Sequence, residues 1–169
     1  MDKEKILALL TELGKRLAVA GIQAEMVIFG GAAMSLVHDS RRSTNDIDAV
    51  FSPRTEVFLI ALEIHQERNL PLDWLNSAGD IFVNKDAPTV DYMDFPGLKV
   101  KVVAPDYLLA MKIKSSRQQS HDFSDTRFLI NKLGVKTRED AESLVRQYFP
   151  KFKLTEDCAT NLEQAFTPS

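Results

Sequence analysis

Cysteine is nearly missing: Cys158 stands alone in 169 residues. That excludes an intrachain disulfide and any zinc site built on several thiolates. Histidine is scarce as well, with three copies, so no histidine-rich ligand set of the kind used by many metal-dependent phosphohydrolases is available. No apolar run approaches the roughly 20 residues that a membrane-spanning helix needs. The opening segment, MDKEKILALLTELGK, is charged and amphipathic and lacks the apolar block of a signal peptide. An excess of positive charge is absent too: 21 Lys and Arg face 24 Asp and Glu, for a net charge of −3. This argues against a protein that coats nucleic acid through bulk electrostatics, although a local basic groove remains compatible with it. A reduced, cytoplasmic setting is the expectation.

What the chain does have is 44% hydrophobic residues, enough for one domain with a real core and a small helical annex. Ile6, Leu9, Leu10, Leu13 and Leu17 recur at helical spacing. MVIF (26–29) reads as a strand, and the following Gly30-Gly31 turns it into a helix that begins AAMSLV. After the polar loop SRRSTN, DIDAVF (46–51) reads as a strand entering the core. Pro53 opens a helix to about residue 68 with Val57, Ile60, Ala61 and Ile64 inward. LPLDWLNSAGD reads as a loop with a short helical turn. Strands are predicted at 80–83, 89–95 and 98–103, then helices from Pro105, over 122–133, over 140–148 and from 155. The expected architecture is α/β (α+β), a short mixed sheet flanked by helices over 1–104, followed by a C-terminal helical region over 105–169. The strands are too few and short for a dinucleotide-binding sheet.

Two features carry chemistry. Asp46 and Asp48 lie two apart on a predicted strand, so both side chains leave the same face, opposite Ile47. Two such carboxylates repel each other unless one keeps its proton or a cation lies between them. Mg²⁺ favours oxygen ligands shared between carboxylates and phosphates. A solvated strand end is the plainer alternative. Gly30-Gly31 at a strand–helix junction brings backbone N–H groups to a helix N-terminus, which attracts anions; a tight packing turn explains the glycines equally simply. The pattern is not a P-loop, because GxxxxGK[ST] is absent.

GGAAMSL followed by RSTNDIDAVF resembles the nucleotidyltransferase superfamily with a polymerase-beta-like core. More narrowly it is similar to the toxin-like nucleotidyltransferases of abortive-infection toxin–antitoxin pairs and their small uncharacterised relatives. The residues in register are Gly30, Gly31, Arg42, Thr44, Asp46, Ile47 and Asp48, then Leu108, Leu109, Ala110 and Lys112, then Arg117, Asp122 and Asp125. The likeness covers roughly residues 24–150. It implies transfer of a nucleoside monophosphate from an NTP to a hydroxyl on a tRNA end, a protein or a small molecule, with Mg²⁺ or Mn²⁺. It further implies that Gly30 and Gly31 hold the triphosphate, Asp46 and Asp48 the metal, and Lys112 the phosphates or nucleotide. Asp122 and Asp125 would complete a second motif. Arg42, Thr44 and Ser35 would join the nucleotide-binding set, with Arg42 either tying its loop to the core or facing phosphate. The hydroxyl that such proteins often carry directly after the glycines is replaced by Ala32, leaving Ser35 one turn on. A third carboxylate on a later strand is also implied; Asp91 is the candidate, with Asp80 and Asp94 as alternatives.

Other residues have weaker claims. Lys112 also reads as a solvated helix lysine reaching outward, like Lys114. Arg117, Asp122 and Asp125 equally suit an ion-pair network between helices. His121 is a possible base or an exposed cap, and His38 and His65 have no partner pattern. Trp74 is expected to anchor its loop to the core. Lys99, Lys101, Lys112, Lys114 and Arg117 could line one groove or simply coat an outer face. A protein of the same fold that binds a nucleotide, a cognate antitoxin or another partner without catalysis is the rival reading. No membrane is implied, and the oligomeric state is open.

Overall fold

The structure is a computed structural model that describes residues 1–37, 43–77, 83–115 and 122–167, the side chain of Asp122 excepted. The chain divides into two compact units, Met1–Val103 and Ala104–Ser169.

The first unit follows its hydrophobic patterning. Helix α1 (Lys3–Val19) is capped by the Asp2 carboxylate, which accepts from the Lys5 N–H, and buries the stripe Ile6, Leu10, Leu13 and Leu17. Strand β1 (Ala24–Ile28) leads into α2 (Gly30–Val37), and β2 (Ile47–Ser52) into α3 (Arg54–Arg68). A two-residue strand, β3 (Leu75–Asn76), comes next, then β4 (Thr89–Phe95) and β5 (Leu98–Val103). The strands form one sheet in the order β3-β2-β1-β5-β4. β1 runs antiparallel to β2 and parallel to β5; β3 is parallel to β2, and β4 antiparallel to β5. The α/β architecture with a short mixed sheet is thus present.

Alternation sets the two faces of the sheet. Met26, Ile28, Ile47, Ala49, Phe51, Leu98, Val100 and Val102 are buried, and α1, α2 and α3 pack on this side. Glu25, Val27, Asp48, Val50, Lys99 and Lys101 point to the opposite, more open face. Gly97, at φ +71° in the β4–β5 turn, lets α1 pass closely: a Cβ there would fall 2.5 Å from the Ala18 nitrogen.

The segment expected to be a loop with a short helical turn, LPLDWLN, has a hydrogen-bonded turn that is not helical, with the Trp74 N–H donating to the Pro71 carbonyl at 3.1 Å. It then supplies β3, where the sequence pattern predicts loop. Two residues are too few for alternation to register. Trp74 is buried, and its indole N–H donates to the Ala61 carbonyl on α3 at 3.1 Å. The strand expected at 80–83 falls almost wholly outside the described residues.

The second unit is helical: α4 (Pro105–Ser115), α5 (Asp122–Leu133), α6 (Arg138–Tyr148) and α7 (Glu156–Phe166). Its core holds Tyr107, Leu108, Leu109, Ile113, Leu129, Ile130, Val145, Phe149, Cys158 and Leu162. Thr137 and Thr155 cap α6 and α7 with their hydroxyls. Tyr107 and Tyr148 meet edge to face at 5.0 Å, and the Tyr148 hydroxyl donates to the Asp106 carboxylate. Burial, and then this hydrogen bond, push the Tyr148 phenol up to about 12. A raised pKa stabilises the fold below the free tyrosine value of about 10, and that contribution disappears as the pH climbs to the folded value. Denaturation midpoints are therefore expected to fall as the pH climbs from about 10 to about 12, and Tyr148→Phe should flatten that fall. Equal pH dependence in both proteins would show that the Asp106–Tyr148 bond has no such role.

No described helix is long and apolar enough to cross a membrane.

Candidate functional site

The glycines and the aspartates meet at one end of the sheet. β1 ends at Ile28, and the Phe29 N–H donates to the Asp48 carbonyl at 3.0 Å, tying the start of α2 to β2. Gly30 has φ +64°, a left-handed conformation that suits glycine. Its missing Cβ also matters: one built there would lie 2.7 Å from Asp48 Oδ2. At Gly31 an added Cβ would lie 2.8 Å from Thr44 Oγ1. Each glycine therefore makes room for a polar side chain of the carboxylate loop. The first N–H groups of α2 have no intrahelical acceptor and face this region, as at any helix start.

Asp46, just before β2, and Asp48, within it, are half-buried, with Ile47 buried between them. Their shared direction is visible in a common partner. The Asn76 side-chain amide nitrogen donates to Asp46 Oδ2 and to Asp48 Oδ1, each at 3.2 Å. Ionised carboxylates only accept, so the nitrogen of this carboxamide must be the atom that faces them. Asn76 reaches them because β3 pairs in register with β2, placing Asn76 opposite Asp48. Trp74 fixes that register: its carbonyl accepts from the Ile47 N–H at 2.8 Å. Sequence reasoning missed Asn76. The only signal was a polar residue directly after the buried Trp74-Leu75 pair.

Thr44 Oγ1 donates to the Asp46 carbonyl at 3.1 Å, and the Thr44 N–H donates to the Met1 carbonyl at 2.8 Å. This fixes the loop that delivers Asp46. Thr44 also brings a hydroxyl beside the glycines, where Ala32, buried in α2, has none. Ser35 is buried, and its hydroxyl donates back to the Gly31 carbonyl at 3.2 Å.

Asp91 is not brought to the pair. It lies on edge strand β4, with β5 and β1 between it and β2. Its side chain is 72% exposed and stands 3.5 Å from Lys99. Asp94, also on β4, is placed opposite Lys99 in the register. Among the described residues, no group of three or more His, Cys, Asp and Glu side chains is placed to hold a metal. Lys101 stands 3.9 Å from Glu25, so both basic side chains of β5 lie beside carboxylates of neighbouring strands.

Lys112 departs from its outward-facing expectation. It is 8% exposed, and its Nζ lies 3.0 Å from Asp125 Oδ2, itself 4% exposed. The reason is the counter-charge that α5 presents: a lysine can turn inward when a carboxylate meets it there. Lys114 lies 4.4 Å from the Phe149 ring centroid. His65 Nδ1 lies 2.6 Å from the Leu70 carbonyl just past α3. His38, Arg42, Asp80, Arg117, His121 and the side chain of Asp122 lie outside the described residues.

On the open sheet face, beside the pair, lies a cavity of about 410 Å³ lined by Val27, Val50, Val83, Asn84, Lys85, Ala87 and Thr89. Val27 and Val50 face each other across the β1–β2 ladder. Val50 is two residues from Asp48 on the same face, about 7 Å along the strand.

The comparisons with known proteins come to the same fold. An antigenic nucleotidyltransferase-like protein from Paracoccidioides brasiliensis has a similar structure, with a TM-score of 0.51 over 96% of this chain and 94% of that one, at 17% sequence identity. At that identity the likeness speaks for the fold alone. No curated protein sequence matches the chain. A sequence family does match, over residues 4–153, which takes in the glycines, the aspartates, Asn76 and most of the helical unit. With nearly the whole chain covered, the protein belongs to the family described as a nucleotidyltransferase of unknown function, DUF6036.

Proposed function

We propose that this protein is a divalent-metal-dependent nucleotidyltransferase whose working centre is the Gly30-Gly31 junction with Asp46 and Asp48. The observation that carries this reading is convergence. Oxygens of two different aspartates point at one atom, beside a helix start kept clear by glycine. The donor set suits a hard cation, since both carboxylates offer oxygen and the point between them accommodates a small polar group. Asp46 and Asp48 would hold Mg²⁺ or Mn²⁺. When bound there, the cation would neutralise charge on the phosphoryl group being transferred.

The protein's own residues divide the remaining work. The N–H groups at the start of α2 receive the triphosphate. Thr44 positions Asp46 and offers a hydroxyl at the same place. The leaving pyrophosphate lies over the glycines, so an in-line nucleophile approaches from the opposite side, over the sheet face. The Val27–Val50 cavity is there, with Lys85 at its lining, and it takes the acceptor group. The acceptor hydroxyl attacks the α-phosphorus, the bond from that phosphorus to the α,β-bridging oxygen breaks, pyrophosphate leaves, and the hydroxyl proton passes to solvent. Filling the cavity with Val50→Trp should lower transfer by about 100-fold, as misplacing a reactant does, while leaving nucleotide binding within about twofold. Equal losses in both would move the cavity to the nucleotide side.

The direct assay incubates the protein with an α-labelled NTP, Mg²⁺ and whole-cell RNA and protein fractions. Label covalently attached to one fraction, dependent on Mg²⁺, is the expected result. Label recovered only as unreacted NTP would favour a second reading, nucleotide binding without transfer. That reading draws on Asn76, which places a neutral side chain beside the pair where a carboxylate could have acted as general base. The narrower affiliation with toxin-like members rests on the Leu108 to Lys112 motif and on Asp125, and a cognate antitoxin remains part of that proposal only.

A further inference from the structure

We infer that the Asn76 carboxamide is a stand-in for the cation: its N–H groups hold Asp46 and Asp48 together, and on metal loading the carboxamide turns its oxygen to the ion. The inference rests on the reading of Asp46 and Asp48 as metal ligands and concerns how that pair is kept ready.

Three observations support it. Two carboxylates sharing one face repel each other, and their oxygens would diverge into water without something positive between them. Here the partial positive charge of a single amide nitrogen fills that place, 3.2 Å from Asp46 Oδ2 and 3.2 Å from Asp48 Oδ1. The amide is also held by rigid structure. β3 is registered on β2 and pinned by the buried Trp74, whose indole bonds α3. The pair is therefore preorganised at the spacing a shared partner requires.

A carboxamide has a second property that a lysine in the same place would lack. Rotation about its last side-chain bond exchanges nitrogen for oxygen with no change of shape. In one orientation Asn76 donates to both aspartates; in the other it offers a third oxygen to the point they share. A fixed cationic side chain would compete with the metal, and a third fixed carboxylate would raise the repulsion within the empty site. Asn76 makes the site stable when empty and lowers its attraction for free cations. The ion then binds best together with the negatively charged triphosphate.

The test measures Mn²⁺ binding by electron paramagnetic resonance, with and without the non-hydrolysable analogue α,β-methylene-ATP, so that no turnover enters the readout. The native protein is expected to bind free Mn²⁺ weakly and to bind it at least about tenfold more tightly with the analogue present. Asn76→Leu, similar in size and without polar atoms, should weaken Mn²⁺ binding in the presence of the analogue by about 10- to 100-fold, as loss of an orienting partner does. Asn76→Asp should do the reverse for the free ion, tightening it about tenfold or more through the added charge. Because Asp and Asn are nearly isosteric, that variant keeps the test valid if the leucine variant fails to fold. Native Mn²⁺ binding that neither variant changes would overturn the role of Asn76 while leaving the aspartate site intact. Mn²⁺ binding unaffected by Asp46→Asn would instead remove the site itself, and the inference with it.

Discussion

Asp48→Asn is expected to reduce nucleotide transfer by roughly 10³-fold or more, with the melting temperature close to that of the native protein. The substitution keeps the size and shape of the side chain, and its site is half-buried at a strand start rather than in the core. It removes one of two negative charges that would attract the ion. In the absence of metal it also relieves carboxylate repulsion, so stability should hold or rise slightly. Asp46→Asn should behave the same way. Gly30→Ala complements this pair from the other side. At φ +64° an alanine costs about 1–2 kcal/mol in backbone strain alone, and its Cβ would meet Asp48 Oδ2 at 2.7 Å. That variant should lose both stability and transfer. Labelled-NTP transfer and thermal melts, run on the three variants together, separate these effects. Full activity in Asp48→Asn would show that the pair is no more than a strand end satisfied by Asn76.

The largest effect on stability is expected in the helical unit. Asp125 is 4% exposed in the native protein, and replacing Lys112 by alanine removes the ammonium 3.0 Å from its carboxylate and empties the space beside it. Removing one member of a buried ion pair typically costs about 3–5 kcal/mol. The double variant Lys112→Met with Asp125→Leu removes both charges and keeps apolar volume, so it should recover most of that loss or exceed the native stability. Denaturant titrations of Lys112→Met, Asp125→Leu and the double variant measure the coupling directly. Additive losses would mean that the contact at 3.0 Å contributes nothing specific. The stable double variant also addresses the role implied by the family motif. Weakened binding of Mn²⁺ with nucleotide in a well-folded double variant would return Lys112 to the nucleotide.

The particular residues show where a sequence is readable and where it is not. The pairing of Asp46 with Asp48 followed from the two-residue repeat of a strand, and their shared partner shows that they do face one way. The glycines could be placed because a strand and a helix on either side leave one junction between them. Their second role, clearing space for Asp48 and Thr44, is tertiary and leaves no mark in the local pattern. β3 went unseen because two residues carry no period, and its register depends on where Trp74 docks. With β3 went Asn76, whose side chain donates to both aspartates. Asp91 illustrates the opposite error. Alternation marks its strand at 89–95, but strand order decides which residues meet, and β5 and β1 stand between it and β2. Lys112 was misplaced because an isolated lysine on a helix reads as solvated, and the charge that draws it inward lies on another helix.

The most direct test of the account is a crystal structure of the protein grown with Mn²⁺ and α,β-methylene-ATP, read by its anomalous signal. One strong peak shared by Asp46, Asp48 and a phosphate oxygen is the expected result, with the triphosphate at the start of α2 beside Gly30 and Gly31. A nucleotide bound with its phosphates elsewhere, with Asn76 still donating to both aspartates and no anomalous peak between them, would contradict it.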